Sequence, residues 1–253
     1  MNKDGMKKGI YVLPNLFTTA NLFCGFYSII ASVKGIFEMA AVPILIAIVL
    51  DGLDGRIARM TNTTSKFGAE YDSLADVIAF GVAPSLLVYN WALYGFGKWG
   101  WIISFLFVLC GALRLARFNV QVGIIESKVF NGLPIPAAAA VVATGVLFYF
   151  FLGGTGRYSN FIVLFAVAAL SLLMVSSIKY YSFKDLNFFS RKPFTSFFLI
   201  VIIFVIVIAE PQIMTFTFAV GYSLSGPAWV LYKLFKKNPF SAKLKEVKCQ
   251  KRN

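Results

Sequence analysis

The chain of 253 residues contains no histidine, and its 11 acidic residues face 24 Lys and Arg. Without histidine, imidazole acid–base catalysis, imidazole metal ligation and every Ser-His-Asp arrangement are excluded. Any catalysis falls to Asp, Glu, Lys, Tyr, Ser or a metal ion. Cysteine is scarce too. Cys24, Cys110 and Cys249 are odd in number and widely spaced, which excludes a disulfide framework and a zinc-ligand spacing. Charged residues make up only 14% of the chain, where a soluble domain carries about 25%.

Apolar residues fill the difference: 58% are hydrophobic and 17% aromatic. One soluble core of this size does not hold that excess, and disordered chains are apolar-poor, so both classes fall away. The fitting solvent is a bilayer, where a spanning helix takes about 20 mostly apolar residues. Apolar runs broken by Gly, Pro, Asn and charge clusters predict helices over 12–33, 36–60, 69–94, 99–119, 133–152, 159–179, 194–210 and 212–236. The stretch after Lys7 and Lys8 lacks a small-residue cleavage site and reads as the first span. Glu210-Pro211 reads as a tight turn between the last two. The polar breaks are too far apart for barrel strands, and lipid requires backbone groups to pair internally. The expectation is an all-α, polytopic membrane protein of about eight transmembrane helices. It has a single catalytic domain over 1–236 and a basic tail over 237–253.

A net charge of +13 in a soluble protein would suggest nucleic acid. In a membrane protein it records topology, so no nucleic-acid partner is expected. With eight spans, Lys34, Lys98 and Arg157 fall on one side and the rest of the 24 basic residues on the other. The positive-inside rule then places the protein in the cell membrane with both termini and the longer polar loops in the cytoplasm.

The acids are unevenly spread. Asp4, Glu126, Asp185 and Glu246 fall in polar loops or tails, and Glu38 and Glu210 near the far ends of spans. Asp51, Asp54, Glu70, Asp72 and Asp76 crowd into one short stretch. Asp51 and Asp54 are three apart and Asp72 and Asp76 four apart, so each pair shares a helix face. An acid at mid-membrane costs about 2.5–3.5 kcal/mol, and four on consecutive helices need cations between them. Ion pairing to Arg56 and Arg59 is one solution, although these two arginines do not both share the face of Asp51 and Asp54. A divalent metal is the other. With carboxylates alone as ligands the ion is hard, Mg²⁺, Mn²⁺ or Ca²⁺, and two ions would balance four carboxylates. Gly52, Gly55 and Gly68 stand beside these acids. Each costs about 1 kcal/mol against alanine in a helix. They serve close helix packing, as does Ala58, or leave backbone bare for a phosphorylated group beside Arg59.

The full spacing is Asp51, two residues, Asp54-Gly55, two residues, Ala58-Arg59, eight residues, Gly68, three, Asp72, three, Asp76. It resembles the signature of the CDP-alcohol phosphatidyltransferases at all its defining positions. The segments Leu13-Pro14-Asn15 to Gly25, Leu113-Arg114 to Asn119 and Asn131-Gly132-Leu133-Pro134-Ile135-Pro136 extend the likeness to the membrane-embedded phosphatidylserine synthases of bacteria and archaea, over roughly residues 10–140. The resemblance implies transfer of a phosphatidyl group from CDP-diacylglycerol to an alcohol, L-serine in that branch, with release of CMP. It implies Asp51, Asp54, Asp72 and Asp76 as ligands of Mg²⁺ or Mn²⁺, Asp76 doubling as general base, and a homodimer. Gly52, Gly55, Ala58, Arg59 and Gly68 match positions lining the CDP-diacylglycerol site, and Asn21, polar inside the first span, joins them. For the acceptor, Arg114 or Arg117 suits a carboxylate or phosphate, Glu70 an ammonium, and Asn131 the pocket wall. Equally, the two arginines mark topology, and Pro134 and Pro136 punctuate a helix start. A sister enzyme using glycerol 3-phosphate and an ion or proton transporter are the competing readings. The transporter fits less well, because its coupling acids are usually spread over several spans or repeats.

Overall fold

The computed structural model describes residues 3–60, 65–121, 129–181 and 210–236. Helix α1 (Lys3–Val33) turns sharply into α2 (Phe37–Met60). Gly35, at φ +77°, makes this turn. Gly35 N donates to Ser32 O and Ile36 N to Ala31 O, so the last carbonyls of α1 are satisfied by the chain that leaves it. Helix α3 runs over Lys66–Phe96, and its first turn is capped by Ser65, whose Oγ accepts from Gly68 N. It is not uniform. Regular α-helix over Lys66–Asp76 widens into a π turn at Val77–Val82, resumes at Ala83–Val88 and widens again at Tyr89–Leu93. Pro84 removes one amide donor from the ladder, and the first wide turn lies just before it.

Gly97, at φ +53°, reverses the chain into α4 (Lys98–Gln121). A short antiparallel ladder follows, β1 (Val129–Asn131) with β2 (Lys179–Tyr181), in the register Val129↔Tyr181, Phe130↔Tyr180 and Asn131↔Lys179. Between the strands come α5 (Ile135–Phe151) and α6 (Phe161–Val175), the latter capped by Asn160, whose side chain accepts from Ile162 N. The last described helix is α7 (Pro211–Lys236), which packs on α5.

The core is built on small residues. Ala40, Ala41 and Ala47 of α2 and Ala79 and Ala83 of α3 are wholly buried. A Cβ at Gly25 of α1 would lie 2.7 Å from Ala79 Cα, so α1 and α3 touch backbone to backbone. Hydroxyls close the same seams: Ser28 Oγ donates to Ala40 O at 2.7 Å and Ser32 Oγ to Leu86 O at 3.1 Å. Large apolar side chains face outward instead, among them Phe23, Val33, Phe105, Ile162 and Phe165. Lipid, not water, suits such a surface. Asn15–Val33, Lys66–Phe96 and Lys98–Val120 are long and apolar enough to cross a membrane, and α5 and α6 are shorter apolar helices.

The expected helices over 36–60, 99–119, 133–152 and 212–236 match described helices within a few residues, and 12–33 and 69–94 lie within longer ones. The helix expected over 159–179 ends early. Ser176 turns extended, and Lys179–Tyr181 pairs as a strand. The ladder was not foreseen. The helix expected over 194–210 and the tail over 237–253 lie outside the described residues.

Candidate active site

Three helices bring the acids together. Asp51 and Asp54 come from the end of α2 that precedes the α2–α3 connection, and Asp72 and Asp76 from the first turns of α3. One carboxylate oxygen from each of Asp51, Asp72 and Asp76 lies within 4.8 Å of the others. Asp76 is 7% exposed and Asp54 6%. The third wall is α1. Asn21, fully buried, donates from Nδ2 to Asp76 Oδ1 at 3.1 Å, and Thr18 Oγ1 donates to Asp54 Oδ2. One helical turn separates Thr18 from Asn21, so a single face of α1 serves both acid-bearing helices.

The hydrogen-bond accounting at this end is incomplete in a telling way. Asp72 Oδ1 and Asn21 Oδ1 are buried with no hydrogen-bond partner. Both are oxygen acceptors, and both lie at a cluster of three converging carboxylates. Such acceptors need a donor or a cation, since a buried unsatisfied polar atom costs about 1–3 kcal/mol. Hard oxygen ligands within 4.8 Å of one another suit a divalent ion such as Mg²⁺, Mn²⁺ or Ca²⁺. The described residues therefore fit a metal.

A fourth helix supplies positive charge. Arg114, on α4, is half-buried and lies within electrostatic reach of Asp76, Asp51 and Tyr222. Its guanidinium also lies 5.8 Å from the Phe118 ring. Tyr222 belongs to α7, which is held by a second tyrosine. The Tyr180 hydroxyl donates to Ser223 O at 3.0 Å, and its ring lies 5.8 Å from the Tyr222 ring. A Cβ on Gly226 would fall 2.5 Å from the Tyr180 ring, so only glycine lets α7 sit this close. The unforeseen ladder thus has a use: β2 carries the residue that docks α7 near Arg114.

The remaining expected residues divide. Gly52 and Gly55 are exposed on α2, with open space where a Cβ at Gly52 would lie. Gly68 packs its bare backbone against Ser65 and Asn15, whose atoms would lie 3.1 and 3.5 Å from a Cβ. Asp54 is not among the three converging carboxylates, although its charge reaches Asp51 and Asp72. Glu70 is exposed on α3, two positions from Asp72 and so on another side of the helix. Arg117 is exposed and donates from Nη1 to Val175 O at 3.4 Å, towards the end of α6, not to the acids. Asn131 lies in β1, and its side chain, like those of Ala58 and Arg59, lies outside the described residues. Thr18, Tyr180 and Tyr222 carried no role in the sequence reading. For Thr18 the usable signal was its spacing of three from Asn21.

Sequence comparison points the same way. The profile of the CDP-alcohol phosphatidyltransferase family matches residues 11–175. A CDP-diacylglycerol–serine O-phosphatidyltransferase of Helicobacter pylori is 49% identical over 183 residues, covering 70% of this chain and 75% of that protein. An archaetidylserine synthase of Methanothermobacter thermautotrophicus is 41% identical over 182 residues, covering 71% and 74%. A CDP-diacylglycerol–serine O-phosphatidyltransferase of Bacillus subtilis is 36% identical over 174 residues, covering 68% and 91%.

Proposed function

The chain belongs to the CDP-alcohol phosphatidyltransferase family, and we propose that it is a phosphatidylserine synthase, moving the phosphatidyl group of CDP-diacylglycerol to the hydroxyl of L-serine with release of CMP. The observation that carries the chemistry is the convergence of Asp51, Asp72 and Asp76, with Arg114 within electrostatic reach. The relatives support serine as the acceptor: two are CDP-diacylglycerol–serine O-phosphatidyltransferases and the third is an archaetidylserine synthase.

In this reading the serine hydroxyl attacks the phosphorus that bears the diacylglycerol. The new P–O bond forms as the bond to the CMP oxygen breaks, and the hydroxyl proton passes to Asp76. A carboxylate is a weak base for an alcohol, so orientation matters, and the Asn21 amide on Oδ1 leaves Oδ2 to face the hydroxyl. Asp51, Asp54 and Asp72, with Asp76, would hold one or two Mg²⁺ or Mn²⁺ ions. When bound, the metal supplies charge neutralisation at the pyrophosphate and at the departing CMP. Thr18 fixes the Asp54 carboxylate. Arg114, aided by Tyr222, draws the serine carboxylate towards the site. The exposed Gly52 and Gly55 leave room for the nucleotide head, and the family resemblance adds Ala58, Arg59 and Gly68 as further contacts.

The finer topology follows from charge. Eight spans with the acid end in the cytoplasm place Lys34, Lys98 and Arg157 on the opposite face of the cell membrane. The family resemblance also implies a homodimer, which mass measurement of the purified protein in detergent tests.

The deciding experiment is an acceptor panel. Purified protein with CDP-diacylglycerol and Mg²⁺ or Mn²⁺ is expected to release CMP with L-serine and not with glycerol 3-phosphate or inositol phosphate. Faster turnover with either of those would overturn the serine assignment.

A further inference from the structure

The stretch Leu113–Asn119 of α4 holds more than its two arginines. Helix α4 packs against the wide turn Val77–Val82 of α3 and against Tyr89–Leu93, but this close packing does not extend to the acid-bearing turns Lys66–Asp76. From Ala116 to Val120 every residue of α4 is exposed. Apolar burial therefore holds this end of α4 less firmly than its middle. Yet this is the end that presents Arg114 to the acids.

A hydrogen bond joins the two segments that packing leaves apart. Asn119 Nδ2 donates to Ser73 Oγ at 2.9 Å. Ser73 spends its one hydroxyl proton on Ala69 O, also at 2.9 Å, so its oxygen accepts and the amide is the donor. Towards the other neighbour of α4, Arg117 Nη1 donates to Val175 O. Gly97 reverses the chain, so α3 and α4 run antiparallel. From the Asn119–Ser73 bond, Asp76 lies about 4.5 Å onward along α3 and Arg114 about 7.5 Å back along α4. Both charged groups thus lie on the same side of the bond, and each is within electrostatic reach of the other.

We propose that Asn119 is a positioning residue, whose bond to Ser73 sets the separation of Arg114 from Asp76 and so the fit of the acceptor held between them. The proposal rests on the reading above, in which Arg114 draws the acceptor's anionic group and Asp76 takes its hydroxyl proton. In L-serine the carboxylate and the hydroxyl-bearing carbon are attached to one and the same carbon. Such a short acceptor has little length with which to adapt, so the spacing of its two partners decides how well both are met. Asn119 is exposed, and its bond competes with water. Its contribution is therefore to geometry at the site more than to folding.

Steady-state kinetics of the full chain test this, with CDP-diacylglycerol and L-serine, or with whichever alcohol the acceptor panel selects. Asn119→Ala and Ser73→Ala are each expected to raise the acceptor KM by about fivefold, the worth of one neutral hydrogen bond. The kcat and the KM for CDP-diacylglycerol are expected to hold. The double variant is expected to match either single one, because both delete the same bond. Ser73→Thr keeps the hydroxyl and is expected to keep the wild-type KM. In an Arg114→Gln background, where the acceptor KM is already raised, Asn119→Ala is expected to add nothing. An unchanged acceptor KM in Asn119→Ala, an equal rise in both KM values, additive effects of the two alanines, or a further rise in the Arg114→Gln background would overturn the positioning role. An acceptor KM unmoved by Arg114→Gln alone would instead overturn the reading of Arg114 beneath it.

Discussion

Helix α3 carries two unlike environments, one at each end. Near its start, Asp72 and Asp76 meet Asp51, Asn21 and Arg114, and the atoms left without partners are oxygen acceptors. Near its finish, Trp91 meets Tyr149, Tyr158 and an apolar cavity, and the atom left over is a nitrogen donor. The same deficit, a buried polar atom with nothing to bond, asks for opposite partners. Converging carboxylates ask for a cation, and a buried indole N–H asks for an acceptor.

That contrast breaks if changes at one end are felt at the other, and the largest expected effect is on the metal. Chelation with EDTA is expected to abolish CMP release, and excess Mg²⁺ or Mn²⁺ to restore it. Next comes Asp76→Asn, which keeps the shape and removes the carboxylate proposed as base. Turnover is expected to fall by about 10²–10⁴-fold, with the melting temperature held or raised, because a buried like-charge repulsion is relieved. Full activity in this variant would remove Asp76 from the chemistry. A smaller effect is expected from Tyr222→Phe: a rise of about 5–10-fold in KM for serine, in the range of one hydrogen bond to a charged group, with kcat and the KM for CDP-diacylglycerol little changed. An equal change in both KM values would mean that Tyr222 only packs. The smallest is Thr18→Val, which deletes one hydroxyl donor to Asp54. Metal affinity, read by the Mn²⁺ concentration at half-maximal activity, is expected to weaken by about fivefold.

The two ends were not equally legible. The acidic end could be read because its acids are few and their spacings of three and four map directly onto helix faces. Thr18 and Asn21 were harder, since the hydrogen bonds to Asp54 and Asp76 cross between helices, and nothing local in α1 announces a partner 36 or 55 residues away. Asn21 was noticed because a buried amide in a span stands out, while a threonine does not. Tyr222 sits in a stretch of general membrane character, and its place near Arg114 depends on Tyr180 of β2 meeting Gly226 of α7. The cavity was invisible, because Trp91, Gly145 and Ala166 look like ordinary span residues until three helices leave a gap among them. Glu70 shows the converse error. It is near the acids in sequence, yet an offset of two in a helix turns a side chain away from its neighbour's face.

The backbone contact of Gly25 with Ala79 has a consequence for traffic. Asn21 and Gly25 lie one turn apart on α1, as Asp76 and Ala79 do on α3, so the seam closes just behind Asp76. No two-tailed molecule passes through a seam whose backbones already touch. A lipid that reaches the acids therefore comes by another side of the site than the α1–α3 seam. Widening that seam would first have to break the Gly25–Ala79 contact.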